Sequence, residues 1–292
     1  MTTTESFAWE STGVRWRTDY DVVGNGPDAL LLPALSSVSA RAEMVALARL
    51  LQARHRCIVP DWPGFGAARG PDARLTPEVL VGFLRGFVAR IVQHPALVVA
   101  AGHGAAYVMT VAREMPDALS SIVLVAPTWR GPLPTAMGEH RRRLWATIRR
   151  WVELPAIGPV LYRLNVNRVM VGRMLRGHVY GDPKFTTDRL LEHKTAITRR
   201  PRARFATAAF VTGGLDLVTD RPSFLGLFDP KPKAPVLVLI GSSTPPKSRA
   251  EMDALAALPT VRSEVVPGSL AAHEEHPERV AAAISGLVGT LR

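Results

Sequence analysis

A chain of 292 residues, 47% hydrophobic and 21% charged, is long enough for one large domain or two ordinary ones and apolar enough for a sizeable core. Its single cysteine, Cys57, excludes an internal disulfide framework, and with no C-x-x-C or Cys/His cluster neither a metal site nor a cofactor is expected. The formal net charge of +11 is concentrated, because residues 130–204 hold 17 of the 36 Lys and Arg but 5 of the 25 Asp and Glu. Such a block either attracts phosphates, anionic lipid headgroups or an acidic partner, or simply dresses a solvated helical face. No recognised nucleic-acid-binding motif accompanies it, so nucleic acid is not an expected partner. The start of the chain has no basic and apolar leader, and no stretch reaches the ~20 apolar residues that span a bilayer. The expectation is a cytoplasmic protein, peripheral to a membrane at most.

In chain order, residues 7–23 alternate loosely around Thr12-Gly13 and predict a β-hairpin at a sheet edge. Residues 29–32 form a continuous apolar run, a buried strand, followed by the small-residue loop 33–39 and helical spacing over 40–54. A strand at 57–59 leads into the loop Pro60-Asp61-Trp62-Pro63-Gly64-Phe65-Gly66. Thr76 and Pro77 mark the cap and first residue of a helix reaching about residue 92. A strand at 96–101 then enters the sharp turn Gly102-His103-Gly104-Ala105-Ala106 and a helix over 105–115. Residues 121–125 form another strand. From 132 to 228 the pattern becomes helical, before a strand at 235–240, a helix at 248–258, a strand at 261–266 and a helix at 277–291.

Repeated strand–helix alternation with continuous apolar strands predicts an α/β architecture: a mostly parallel central sheet with helices on both faces. The expected division is a core from 1–131 and 229–292, with a helical cap inserted at 132–228 over the carboxyl ends of the strands.

With these elements placed, the sequence resembles the α/β-hydrolase superfamily of the capped type that includes epoxide hydrolases, dehalogenases and haloperoxidase-like esterases. The carrying motifs are Asp61-Trp62-Pro63-Gly64-Phe65-Gly66, the turn 102–106, and Pro267-Gly268-Ser269 with Glu275-His276-Pro277-Glu278. Residues 31–39, 126–134 and 203–216 are similar to a hydrolase-like group of phototrophic bacteria and plastids. The resemblance implies a G-x-S-x-G nucleophile elbow and the chain order nucleophile, acid, histidine. Aligned on it, the nucleophile position is Gly104, the acid position Thr244 and the histidine position Leu270, while the oxyanion loop reads Pro33-Ala34. None of these side chains does Ser-His-Asp chemistry.

The expected function is therefore binding of a hydrophobic or anionic small molecule, in a non-hydrolytic or accessory role. The expected pocket comprises Ala34, Leu35 and Ser36, then Asp61, Trp62 and Phe65, then His103, Gly104 and Ala105, with Trp129, Thr244 and Leu270. The Ala105 N–H, at a helix start, is expected to donate to an anion or a carbonyl oxygen. Two alternatives stay open. One is an enzyme with other chemistry in this pocket (a lyase, isomerase or cofactor-free oxygenase) with His103, His273 or Tyr107 as acid or base. The other is a hydrolase with relocated catalytic groups. In the cap, Arg141, Arg142, Arg143, Arg149 and Arg150 suit an anionic membrane surface or an acidic protein partner. Arg149 and Arg150 face outward if Leu144, Trp145, Ile148, Trp151 and Val152 form the inward stripe.

Overall fold

The computed structural model describes residues 2–67, 73–93 and 96–289. The strands are β1 (Thr2–Ser11), β2 (Val14–Val23), β3 (Asp28–Leu32), β4 (Arg56–Pro60), β5 (Ala96–Ala101), β6 (Leu119–Val125), β7 (Val236–Gly241) and β8 (Val261–Val266). They form one sheet in the order β1-β2-β4-β3-β5-β6-β7-β8. The β1–β2 and β2–β4 pairs are antiparallel and every other pair is parallel. The expected edge hairpin is present and longer than the alternation indicated. Its tight turn places Thr12 and Gly13 at φ +54° and +72°.

The α-helices are α1 (Val45–Leu51), α2 (Pro77–Arg90), α3 (Gly104–Glu114), α4 (Pro132–Met137), α5 (Arg142–Glu153), α6 (Gly158–Asn165), α7 (Arg168–Met174), α8 (Asp188–Thr198), α9 (Ala203–Val211), α10 (Arg221–Leu225), α11 (Pro246–Ala256), α12 (Ala272–Glu275) and α13 (Pro277–Gly289). The helix expected over 40–54 is shorter, a 3₁₀ turn at Arg41–Met44 followed by α1. Helix α2 begins at Pro77 as its sequence indicates, yet the Thr76 hydroxyl makes no capping bond. Residues 290 and 291 of the expected last helix lie outside the described residues.

The buried parallel strands explain the two-faced core. In β3, Leu30 and Leu32 point to one apolar cluster while Ala29 and Leu31 point to the other, as a two-residue period requires. Met44, Leu47, Ile284 and Leu287 of the α1 and α13 region cover one face. Leu80, Phe83, Val108 and Met252 from α2, α3 and α11 cover the other. The edge hairpin is anchored by aromatic packing: Phe83 lies 5.0 Å from Trp9, 5.8 Å from Trp62 and 5.4 Å from Phe87, ring centroid to centroid.

Between β6 and β7, the described chain is helical, from α4 to α10. Helix α5 is oriented against expectation. Trp145 and Arg149 face inward and are buried, whereas Leu144, Ile148 and Trp151 are exposed. The inward guanidinium is satisfied: Arg149 donates to the Glu153 carboxylate at 2.6 Å and to the Leu75 carbonyl at 3.0 Å. Burial lowers its pKa from the usual arginine value, with Glu153 opposing that shift.

Phe83→Ala removes a fully buried ring shared by the hairpin, α2 and the Trp62 loop, and should cost about 3–5 kcal/mol of stability in equilibrium urea unfolding.

Candidate functional site

The carboxyl ends of β3, β5, β6, β7 and β8 face a cavity of about 520 Å³ whose remaining wall comes from the helical insertion. Apolar side chains such as Leu35, Val38, Met174, Phe210 and Leu270 share its lining with Glu43, Lys194, His273 and Glu274. Of the residues expected in the pocket, Ala34, Leu35, Ser36, His103 and Leu270 line it.

The sharp turn after β5 is centred two residues earlier than the motif alignment placed it. Gly102 has φ +54°, in the left-handed region, and a Cβ built there would lie 3.5 Å from Ala34 Cβ and 3.9 Å from Thr128 Oγ1. Gly102 lines the cavity. Gly104 instead is the first residue of α3, and a Cβ there would press on the Trp62 ring at 3.2 Å. The two glycines flank His103, and only backbone conformation separates the turn residue from the helix residue. Nor is the Ala105 N–H a free donor to a ligand, because it donates to the Gly102 carbonyl at 3.3 Å.

The other expected pocket residues are not among those that line the cavity. Asp61 is buried and accepts from the Arg41 N–H at 2.8 Å, the Arg41 guanidinium at 2.6 Å and the Ala67 N–H at 2.9 Å. Burial pushes its carboxyl above the ordinary range, with those donors pulling it back. Trp62 donates to the Pro33 carbonyl at 2.8 Å, and Phe65 belongs to the core. Trp129 reaches the Glu251 carboxylate at 3.2 Å and stacks on Phe224. Thr244 is buried in the loop after β7, where its hydroxyl has no partner. Tyr107 is fully buried behind the cavity wall and donates to the Leu215 carbonyl at 2.6 Å. Desolvation raises its pKa well above the usual tyrosine value, and Tyr107 is not among the residues that line the cavity.

His103 and His273 do line the cavity, and they share a pattern. His103 Nε2 lies 3.2 Å from the Leu215 carbonyl and 3.3 Å from the Asp216 carboxylate. His273 Nε2 lies 3.2 Å from the Glu43 carboxylate. In each case the neighbours of Nε2 are oxygen acceptors, which suit a proton on that nitrogen. Both Nδ1 atoms are buried without a hydrogen-bond partner.

Around His273 the structure assembles charged side chains from three separate parts of the chain. Glu43 receives the Ala34 N–H at 2.6 Å and the Lys194 ammonium at 3.4 Å. Lys194, from α8 of the insertion, also donates to Glu274 at 2.8 Å, and Tyr180 donates to the same carboxylate at 2.7 Å. Glu275 accepts the Gly181 and Asp182 N–H groups, each at 2.7 Å. Burial alone would raise the Glu43 carboxyl, but Lys194, His273 and Ala34 together hold it well below its ordinary value. Burial alone would lower Lys194, but Glu274 and Glu43 hold it above the usual lysine value. At neutral pH this pole of the cavity therefore contains one ammonium held between two acidic side chains.

Lys194→Met leaves Glu43 buried without its countercharge and should destabilise the fold by about 3–5 kcal/mol at pH 7. Ionised Glu43 stabilises fully above its ordinary 4.5 and loses that contribution as pH falls through its lower folded-state value. The gap between wild type and variant, followed by urea unfolding from pH 7 to pH 3, should narrow in acid. The Lys194 contribution has the opposite sign and is lost only as pH rises above 10.5 through its raised folded-state value.

The sequence model of the alpha/beta hydrolase family matches residues 29–283. None of the curated proteins matches the chain in sequence. Among solved structures, a thermophilic esterase from Thermogutta terrifontis is similar at 22% identity, over 99% of this chain and 98% of that one, with a TM-score of 0.72. A serine hydrolase involved in carbazole degradation is similar at 17% identity, over 99% and 100% of the two chains, with a TM-score of 0.71. The epoxide hydrolase CorEH is similar at 17% identity, over 99% and 100%, with a TM-score of 0.72. At these identities the likeness is one of fold. With the family match covering most of the sequence, the chain belongs to the alpha/beta hydrolase family.

Proposed function

We propose that this chain binds a largely apolar small molecule in the cavity between sheet and insertion, without Ser-His-Asp hydrolysis. The observation that carries this reading is Gly102 at the left-handed centre of the strand-to-helix turn, where an elbow presents its nucleophile. Moving the nucleophile position from Gly104 to Gly102 supplies no attacking group. Thr244, three residues beyond Gly241 after β7, takes the acid position. Leu270, after β8, takes the histidine position and contributes an apolar wall. The apolar lining suits a hydrophobic ligand, with the charged pole receiving its polar end. Because Lys194 is already matched by Glu43 and Glu274, that pole favours a neutral hydrogen-bonding group over an anion.

A second reading rests on the two histidines. Each has Nε2 held beside a carboxylate and Nδ1 without a partner, the arrangement of an oriented proton acceptor. A lyase, isomerase or cofactor-free oxygenase would use them as acid and base without a covalent nucleophile.

Leu270→Trp should fill part of the cavity and weaken binding of the neutral apolar dye N-phenyl-1-naphthylamine about tenfold or more in a fluorescence titration. A fluorophosphonate serine-hydrolase probe should leave the purified wild type unlabelled. Labelling of the wild type, or ester turnover abolished by His273→Ala, would overturn the non-hydrolytic reading. Gly102→Ser should not by itself create an esterase, since neither Thr244 nor Leu270 can support it.

A further inference from the structure

Helix α5 turns its apolar stripe away from the protein. Leu144, Ile148 and Trp151, spaced four and three residues apart, share one helical face, and Trp151 is 53% exposed. The next two helices continue the pattern. Val160 and Leu164 of α6 are 57% and 67% exposed, and Val169 of α7 is 77% exposed. Leu154 and Ile157, in the turn between α5 and α6, are exposed as well. Scattered single apolar residues on a surface need no explanation, but a run over three consecutive helices does.

The charges on the same helices are equally one-sided. Residues 141–176 contain nine arginines and one acidic residue, Glu153. Glu153 is engaged with the inward Arg149, which leaves it a poor counterweight for the outward charges. Arg141, Arg142, Arg143, Arg150, Arg163 and Arg173 are exposed beside the apolar residues. No helix among the described residues is long and apolar enough to cross a membrane.

We propose that the outer face of α5, α6 and the start of α7 docks on an anionic lipid bilayer, with Trp151 and its apolar neighbours in the headgroup–acyl boundary and the arginines on the headgroups. Apolar side chains interleaved with arginine around an amphipathic tryptophan are what such an interface accepts. Charge complementarity selects the lipid over a second copy of this chain, since a self-contact would set arginines against arginines. The insertion that carries this face also supplies Met174 and Lys194 to the cavity wall, so docking would bring the cavity close to a source of apolar molecules. The docking claim stands on the surface alone and does not require the proposed ligand.

The test uses the intrinsic fluorescence of the full chain. Five of the six tryptophans are no more than 5% exposed, so Trp151 is the reporter. Vesicles of phosphatidylcholine with phosphatidylglycerol should pellet the protein at low salt, and pure phosphatidylcholine vesicles should not. Brominated acyl chains should quench the emission in wild type and not in Trp151→Phe. Arg143→Ser with Arg150→Ser should weaken binding to the anionic vesicles roughly 25-fold, at about fivefold per arginine near the surface. High salt should release the protein. Absence of low-salt binding to the anionic vesicles would overturn the proposal, as would binding without Trp151 quenching. Sedimentation velocity gives a further check: a dimer abolished by Trp151→Ser would assign the face to a second copy and overturn it too. Tight binding of poly-glutamate with no vesicle binding would assign it to an acidic protein instead.

Discussion

The buried ammonium of Lys194 is the interaction on which the site depends. It stands between Glu43, just before α1 of the sheet core, and Glu274, in the segment after β8, while Lys194 itself belongs to the helical insertion. Two opposite charges about 4 Å apart attract by about 4 kcal/mol at the effective dielectric of a protein interior. Desolvating each ion costs several kcal/mol, so the cluster adds little net stability. What it supplies is position. It fixes the insertion against the core at one place, reinforced by the Glu275 carboxylate on the Gly181 and Asp182 amides.

The same contacts give the cavity its polarity. A pocket closed only by apolar packing would have no preferred direction for its contents. Here one end is held by Glu43, His273, Lys194 and Glu274, while Leu35, Met174 and Phe210 supply apolar walls. His273 is held by Glu43 on one ring nitrogen, so its orientation is set by the charge cluster rather than by any ligand. On the turn after β5, His103 is likewise held, by Leu215 and Asp216 in the loop after α9.

The architecture was legible in the chain because the parallel strands are continuous apolar runs, and residues 29–32 and 96–101 can only be buried on both faces. The site was legible in part. Ala34, Leu35, Ser36, His103 and Leu270 follow from the loops that end the strands. Asp61, Trp62 and Trp129 sit in equally suggestive loops, but each spends its polar atoms tethering its loop to a neighbouring segment. Glu43 and Lys194 gave no signal, being single charges 151 residues apart in the sequence. Gly102 and Gly104 are indistinguishable until the backbone dihedrals are known. Helix α5 misled for a different reason: an apolar stripe is normally the inward one, and here Arg149 takes that place because Glu153 and the Leu75 carbonyl satisfy it.

Gly102 also bears on how freely this chain can change. A residue with a side chain at a strained turn costs about 1–3 kcal/mol, which an active elbow must carry for its chemistry. Glycine adopts the left-handed backbone there without steric penalty, though with a larger loss of chain entropy on folding. The turn can therefore be preserved by selection for folding alone, with no reaction required to keep it. The strain that glycine avoids at this turn is comparable in size to an ordinary destabilising substitution, so the turn draws little on the stability of the sheet around it.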